Sequence, residues 1–205
     1  MHEKALSDNT LAVWNKCGFL TDDFYLAGGT ALAFQIGHRK SIDLDFFSDN
    51  PVKNNLLKKI EENLGFPSNV LKNSKDELTL IVKDVKLTFL HYPFPLLYDV
   101  VPTGIVPLVD LKDIASMKAY SLGRRRSLKD YIDLYFIFST NLHTFEHTIE
   151  DAYKKYSDAF NDRLFSEQLL TPEDLEDEPI MWLTEPVSKE DIKIFFTKLI
   201  SEIKI

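Results

Sequence analysis

The chain has 205 residues, 44% of them apolar, and this length and composition suffice to bury a substantial core in one compact domain or two small lobes. Its formal net charge of −8 argues against a broad nucleic-acid-coating surface, because such binding needs many Lys and Arg side chains to neutralise phosphates. No apolar run approaches the roughly 18 residues of a membrane span, and the N-terminus lacks a secretory signal, so we expect a cytoplasmic protein with no membrane partner.

The N-terminal part of the chain mixes helical and strand patterns. Helices are predicted over 5–16, from residue 30 and over 53–63, and strands over 24–27, 41–47, 78–82 and 85–90. The polar link Lys83-Asp84 joins the last two strands in an antiparallel hairpin.

The C-terminal part is predicted to be helical. Four prolines between residues 93 and 107 punctuate a stretch with little helical pattern, which we interpret as the crossing between two lobes. Beyond it, helices are predicted over 111–122, 128–138, 145–156, 161–169 and 189–203. The expected fold class is therefore α+β. Residues 1–105 form a core lobe with a mixed or antiparallel sheet flanked by helices, and residues 106–205 form a helical lobe.

A glycine turn follows the strand over 24–27. Gly28 and Gly29 can adopt positive φ or let a ligand approach the backbone, and Thr30 is suited to the N-cap or the first turn of the next helix. The free N–H groups and the dipole of a helix start favour an anion. The pattern predicts a phosphate site at Gly28, Gly29 and Thr30, although a Gly-Gly pair standing alone is more often an ordinary turn.

Two carboxylates follow on the strand over 41–47. Its alternation places Asp43 and Asp45 on one face and Ile42 with its apolar neighbours on the other. Adjacent like charges are costly unless a cation lies between them, and Mg²⁺ takes one or two carboxylates together with water and substrate phosphates. A solvated strand face is the alternative. The order and spacing of the glycine turn and the carboxylates favour a site for Mg²⁺ and a nucleoside triphosphate (NTP).

These residues carry a resemblance. Residues 28–32 (GGTAL) and 37–47 (GHRKSIDLDFF) resemble the nucleotidyltransferases of the DNA polymerase β superfamily, and specifically the AbiEii/AbiGii abortive-infection toxin group. Residues 118–134 (KAYSLGRRRSLKDYIDL) are similar to the downstream motif of that group, which has a lysine on one helix, an arginine, then Lys/Arg-Asp and Asp-Leu on the next. The first motif alone indicates the superfamily, and the second points to the toxin group.

The resemblance implies roles for the N-terminal motif. Residues 28–30 would hold the triphosphate, and Asp43 and Asp45 would ligate the Mg²⁺ that bridges it. Arg39 and Ser41, beside the carboxylates, would contact phosphate or hold the carboxylates in place. An acceptor hydroxyl would then attack the α-phosphate in line, with pyrophosphate leaving.

The resemblance also assigns residues of the helical lobe. Lys118 would meet the triphosphate, and Asp130 would face the site or orient Lys118 or an arginine. The basic cluster Arg124-Arg125-Arg126 could hold phosphates, with Arg124 and Arg126 as the chosen residues and a solvated helix end as the alternative. Asp133 could share the face of Asp130, with pairing to Lys129 or Arg126 on the helix surface as the alternative, and Asp130 is preferred for the site.

The sequence departs from the superfamily pattern at one position. Many members carry a third carboxylate on a later strand, where it completes the metal site and can accept the proton of the attacking hydroxyl. The strand over 85–90 instead presents Lys86, Thr88 and Leu90 on one face, with Thr88 at the position of the acid. Either Asp130 substitutes for it, or the enzyme runs with one well-held metal, or activity has been lost.

Two functions of different classes follow. The first is a Mg²⁺-dependent nucleotidyltransferase that acts as the toxin of a toxin–antitoxin or abortive-infection system. It would transfer a nucleotide from an NTP to RNA, such as a tRNA end, or to a protein hydroxyl, and a cognate antitoxin is an expected partner. The alternative is a catalytically silent nucleotide-binding module that acts through protein contacts. This alternative is favoured by Thr88, because a hydroxyl stands where a third carboxylate was expected. A small-molecule nucleotidyltransferase shares the N-terminal motif.

Overall fold

The computed structural model describes residues 1–122, 124–125 and 127–202. The chain divides into two compact units, Met1–Asp110 and Leu111–Ile205, so the division falls a few residues after the predicted boundary at 105. A sheet with flanking helices forms the first unit and helices form the second, which confirms the α+β class. The functional assignment of the two lobes stays a prediction.

The first unit is built on a five-stranded mixed sheet. Its strands are β1 (Tyr25–Ala27), β2 (Leu44–Ser48), β3 (Asn69–Asn73), β4 (Glu77–Val82) and β5 (Val85–His91). They are ordered β1-β2-β5-β4-β3, with β2 and β5 parallel and the other neighbouring pairs antiparallel. The helices of this unit are α1 (Asp8–Trp14), α2 (Gly28–Ile36) and α3 (Leu56–Leu64), with short 3₁₀ turns at Glu3–Ala5 and Cys17–Leu20.

The two parallel strands separate an apolar face from a polar one. Leu44 and Phe46 of β2 are fully buried, and Phe46 stacks on Phe89 of β5 with ring centroids 5.1 Å apart. Because side chains alternate along a strand, Asp45 of β2 and Thr88 of β5 lie on the opposite face, where both are only partly buried. The core therefore fixes which face of the sheet carries the polar residues.

The helix predicted over 5–16 differs from the structure, and one strand of this unit was missed. The helix over 5–16 is broken, because the Ser7 side chain accepts a hydrogen bond from the Thr10 N–H at 3.1 Å and caps a new helix at α1. Strand β3 was not predicted. All five of its residues are exposed, so it carries no alternation of apolar and polar side chains for a sequence pattern to detect.

The predicted hairpin between β4 and β5 is confirmed, and its turn is strained. Lys83 and Asp84 both have positive φ, 50° and 63°, a conformation that costs L-residues about 1–2 kcal/mol each. Hairpin turns of this kind prefer glycine at the second position.

Substitution of Asp84 with glycine is expected to raise the free energy of unfolding by about 0.5–1 kcal/mol, because glycine adopts positive φ at no steric cost. Urea denaturation measures the change. Asp84→Ala is the matched control, since it removes the same charge and keeps the Cβ. Equal unfolding midpoints for the glycine and alanine variants would contradict the strain explanation.

The second unit consists of helices around an aromatic core. They are α4 (Leu111–Leu122), α5 (Leu128–Ser139), α6 (Phe145–Tyr156), α7 (Asp162–Leu169) and α8 (Lys189–Glu202), with short 3₁₀ turns at Ser157–Ala159 and Pro172–Asp174. Phe145 stacks on Phe165 with centroids 5.5 Å apart, and Phe196 is fully buried. The predicted end of the last helix, residue 203, lies outside the described residues. No helix in the described ranges is long and apolar enough to cross a bilayer.

Candidate active site

The glycine turn lies directly between β1 and α2. Gly28 has a φ of +67°, and a Cβ built on it would lie 3.0 Å from the Asp45 Oδ2 atom. A side chain at this position would be strained by the positive φ, and the Asp45 carboxylate would have to shift slightly to make room for it. Asp45 is also the register partner of Ala27, the residue before the turn. The structure thus brings together the predicted phosphate turn and one predicted metal ligand.

The N-terminus of α2 offers hydrogen-bond donors beside this carboxylate. The helix begins at Gly28, and no side chain caps it. The first N–H groups of a helix have no partner within the helix, and they attract anions together with the helix dipole. The backbone of Gly28 and Gly29 is thus suited to a phosphate, as the sequence predicts.

Thr30 and Ser41 hold the loop that precedes β2. Thr30 lies inside the first turn of α2 rather than at the cap, and its side chain is buried. Its hydroxyl donates to the backbone carbonyl of Asp43 and lies 2.7 Å from the Ser41 Oγ atom. The Thr30 side chain therefore faces Asp43, and what Thr30 presents at the helix start is its backbone N–H.

Asp43 lies one residue before β2, and the predicted strand was too long at this end. Leu44 is the first strand residue, and Ile42 is 47% exposed instead of packing beneath the sheet. The Asp43 side chain is 42% exposed, and its Oδ2 atom lies 3.2 Å from the Lys86 Nζ atom of β5. The ion pair with Lys86 was not predicted.

Arg39 is buried, with only 3% of its surface exposed. Its Nη1 atom donates to the backbone carbonyl of Lys40 at 3.2 Å. A guanidinium this deeply buried supports the loop before β2 from inside. Together with the contact between Ser41 and Thr30, it favours the second predicted role of Arg39 and Ser41, which is to hold the carboxylates in place.

Thr88 is the register partner of Asp45 across the parallel pair β2–β5. The strand position next to Asp45 is therefore occupied by a hydroxyl where a third carboxylate was sought. Among the described residues, no three or more His, Cys, Asp or Glu side chains are grouped for a metal ion. Asp43 and Asp45 are donors of the chemical type that Mg²⁺ takes, since the ion is commonly held by one or two carboxylates and completes its shell with substrate phosphates and water.

In the helical unit, Lys118 is buried between two carboxylates. Its Nζ atom lies 2.7 Å from Asp130 Oδ1 and 2.5 Å from Asp133 Oδ2. Asp133 is fully buried, so the alternative of a helix-surface ion pair is wrong for this residue. Arg125 binds Asp130 with two hydrogen bonds of 2.7 and 2.8 Å, which agrees with the expectation that Asp130 orients Lys118 or an arginine.

The charges of this cluster keep the Asp130 carboxylate ionised. Burial acts to raise its pKa, but the ammonium of Lys118 and the guanidinium of Arg125 outweigh that effect and hold the pKa below its ordinary value. The contacts favour the predicted role of Asp130 as the residue that orients Lys118.

Arg124 closes the C-terminal end of α4. Its guanidinium lies 3.6 Å from the centroid of the Tyr120 ring and donates to the carbonyls of Tyr120 and Ala159 at 2.6 and 2.9 Å. The Tyr120 ring in turn stacks on Tyr156 at 3.8 Å. These contacts favour the helix-end interpretation of Arg124 over phosphate binding. Arg126 lies outside the described residues.

The fold is similar to those of solved nucleotidyltransferases. The structure of MenT4, the nucleotidyltransferase toxin Rv2826c from Mycobacterium tuberculosis H37Rv, matches with a TM-score of 0.58 and 18% identity, over 99% of this chain and 88% of that one. The solution structure of the antibiotic-resistance factor ANT(2'')-Ia matches with a TM-score of 0.53 and 17% identity, over 71% of this chain and 91% of that one. The chain therefore has a nucleotidyltransferase fold.

The chain belongs to the family described as nucleotidyl transferase AbiEii toxin, type IV toxin–antitoxin system, whose sequence model matches residues 11–204. The predicted resemblance is thereby confirmed. A relative, the uncharacterized protein aq_aa25 of Aquifex aeolicus (strain VF5), is 40% identical over 125 residues. That match spans 58% of this chain and 59% of the relative, so the chain covers less than two thirds of that protein's length.

Proposed function

We propose that this protein is a divalent-cation-dependent nucleotidyltransferase that transfers a nucleotide from an NTP to an acceptor hydroxyl, as the toxin of a toxin–antitoxin pair. The observation that supports the proposal is the close approach of Gly28 to Asp45, in which a Cβ built on Gly28 would lie 3.0 Å from the Asp45 Oδ2 atom. The start of α2, whose first N–H groups would bind phosphate, and a carboxylate that would hold a metal ion are therefore neighbours. A triphosphate with its metal ion needs this combination.

The residues of the first unit would act by positioning and by charge. The N–H groups at the start of α2 would bind phosphate oxygens, and Asp43 and Asp45 would hold Mg²⁺, which neutralises the charge of the triphosphate when bound. The acceptor oxygen would form a bond to the α-phosphorus while the bond to the pyrophosphate oxygen breaks. Pyrophosphate leaves with the electron pair, and the hydroxyl proton passes to solvent or to a carboxylate.

The assignment of Lys118 and Asp130 to the site is part of this proposal. Lys118 would supply a positive charge to the triphosphate, and Asp130 would keep its ammonium oriented. The two short contacts of Lys118 with Asp130 and Asp133 support an ammonium whose position is fixed by its own unit. Arg124 and Arg126 stay predicted phosphate contacts, although the hydrogen bonds of Arg124 support a structural role.

The acceptor we propose is RNA, such as a tRNA end, or a protein hydroxyl, in the cytoplasm, where NTPs and these acceptors occur together. The family description supports the toxin role and the expectation of a cognate antitoxin. A silent nucleotide-binding module is the second candidate, and it is favoured by Thr88 in the strand position beside Asp45.

The proposal is tested by incubating the protein with each NTP labelled at the α-phosphate, Mg²⁺, and total cellular RNA or protein. The wild type is expected to label one acceptor class. The double variant Asp43→Asn/Asp45→Asn should lose at least about 100-fold in rate, because the metal ion is no longer held. Asp22→Asn/Asp84→Asn is the matched control, since it neutralises two exposed aspartates of the same unit and should label normally.

Each other outcome has a defined meaning. Label transfer that persists in the double variant would remove the metal assignment, and NTP binding by the wild type without any transfer would favour the silent module. Induced expression should slow bacterial growth for the wild type and not for the double variant. Equal growth of both cultures would remove the toxin role.

A further inference from the structure

Lys86 places a positive charge on the polar face of β5 close to the proposed metal ligands. It lies two residues before Thr88, on the same side of the strand, and Thr88 is the register partner of Asp45. Asp43 lies two residues before Asp45, so Lys86 and Asp43 meet at the next step along the two parallel strands. Their Nζ and Oδ2 atoms are 3.2 Å apart.

This ion pair contributes little to the stability of the fold. The Lys86 and Asp43 side chains are 44% and 42% exposed, and ion pairs between exposed groups contribute about 0–1 kcal/mol. Its effect on a cation at Asp43 is larger, since a divalent ion there would lie within a few ångströms of the Lys86 ammonium. Thr88 stands where a third carboxylate was sought, and the charge that β5 does bring to this face, at Lys86, is positive.

We infer that Lys86 takes the place of a second divalent cation: its ammonium neutralises and positions Asp43, so that the site binds a single divalent ion. This inference rests on the proposed function and names the residue that completes the site in the absence of a third carboxylate. Lys86 is a positioning residue, because its observed contact is with Asp43.

Two consequences follow for the protein without nucleotide. Repulsion by Lys86 weakens divalent-ion binding at Asp43 and Asp45, so the ion binds tightly only together with the triphosphate. Removal of the ammonium then strengthens binding, since the positive charge 3.2 Å from the Asp43 carboxylate is lost. A residue with a purely structural role would not have this effect on metal affinity.

The test measures Mn²⁺ binding to the full-length protein by electron paramagnetic resonance, because Mn²⁺ favours the same oxygen ligands as Mg²⁺. Lys86→Met is expected to bind Mn²⁺ about tenfold more tightly than the wild type, from the Coulomb repulsion that it removes. Lys86→Arg keeps the charge and should bind as the wild type does. Lys72→Met is the matched control, since it removes a lysine that pairs with Glu77 elsewhere on the sheet.

A count of bound ions adds an independent readout. With a non-hydrolysable NTP analogue, the wild type should hold one Mn²⁺ per protein, and Lys86→Met/Thr88→Asp should hold two. Equal Mn²⁺ affinity of the wild type and Lys86→Met, or two ions in the wild type, would overturn the inference. Tighter Mn²⁺ binding by Lys86→Met with no label transfer by the wild type would overturn the proposed function alone.

Discussion

Substitution of Lys118 with methionine is expected to lower the free energy of unfolding of the helical unit by about 3–5 kcal/mol, since breaking a buried ion pair leaves an uncompensated charge. Lys118 is 3% exposed and contacts both Asp130 and Asp133, which are themselves almost completely buried. Methionine matches the length of lysine, so the loss would come from charge and not from a cavity. Arg125 still binds Asp130 after the substitution, whereas the Asp133 carboxylate loses its contact of 2.5 Å with the Lys118 ammonium.

Urea denaturation followed by helical circular dichroism measures this loss. Lys198→Met is the control, because Lys198 is an exposed lysine of α8 whose removal should change stability by less than about 0.5 kcal/mol. The triple variant Lys118→Met/Asp130→Leu/Asp133→Leu removes the lysine and both carboxylates, and it should be less destabilised than Lys118→Met. A Lys118→Met protein as stable as the wild type would contradict the assignment of a structural charge cluster.

The cluster changes how variants of the downstream motif are interpreted. A Lys118 variant that no longer transfers label could have lost a phosphate contact or could have lost the fold of the helical unit. Stability and NTP binding therefore need to be measured on the same variant. Transfer that is lost while the fold is intact would support the proposed contact of Lys118 with the triphosphate.

The elements that were predicted well are those whose sequence pattern is local. The helices Leu111–Leu122 and Phe145–Tyr156 have the predicted bounds, because the periodicity of apolar residues determines both ends. The proximity of Gly28 to Asp45 was also accessible, since a strand, a helix and a second strand of these lengths fold back on one another. These features depend on residues that are close in sequence.

The contacts that were missed connect residues without a local pattern. Lys86 and Asp43 are brought together by the register of two parallel strands, and that register is set by burial of Phe46 against Phe89. The depth of Asp133 could not be read from helix α5, because a charged residue in an amphipathic pattern is normally assigned to the surface. Both the contact between Lys86 and Asp43 and the burial of Asp133 depend on packing between elements, which the local sequence pattern does not show.

Substitution of Gly28 with alanine is expected to reduce label transfer by about tenfold, less than the roughly 100-fold that a displacement of about 1 Å at a reacting group can cause. The added Cβ would lie 3.0 Å from Asp45 Oδ2, so the carboxylate must shift by a few tenths of an ångström. Positive φ adds a conformational cost of about 1–2 kcal/mol for alanine.

The effect of the close approach to Asp45 can be separated from the effect of positive φ, because the chain contains a second glycine that has positive φ and open surroundings. Gly104 has a φ of +83°, and no atom lies within 4 Å of a Cβ built on it. Gly104→Ala should therefore lose about 1–2 kcal/mol of stability and keep full transfer activity. Gly28→Ala should be reduced in both stability and transfer activity. Urea unfolding and label transfer are measured in parallel to compare the two variants.

If the two variants transfer label equally well, the close approach of Gly28 to Asp45 does not position the carboxylate. A loss confined to Gly28→Ala would mean that the close approach of the glycine turn to Asp45, and not backbone strain, is what the reaction requires.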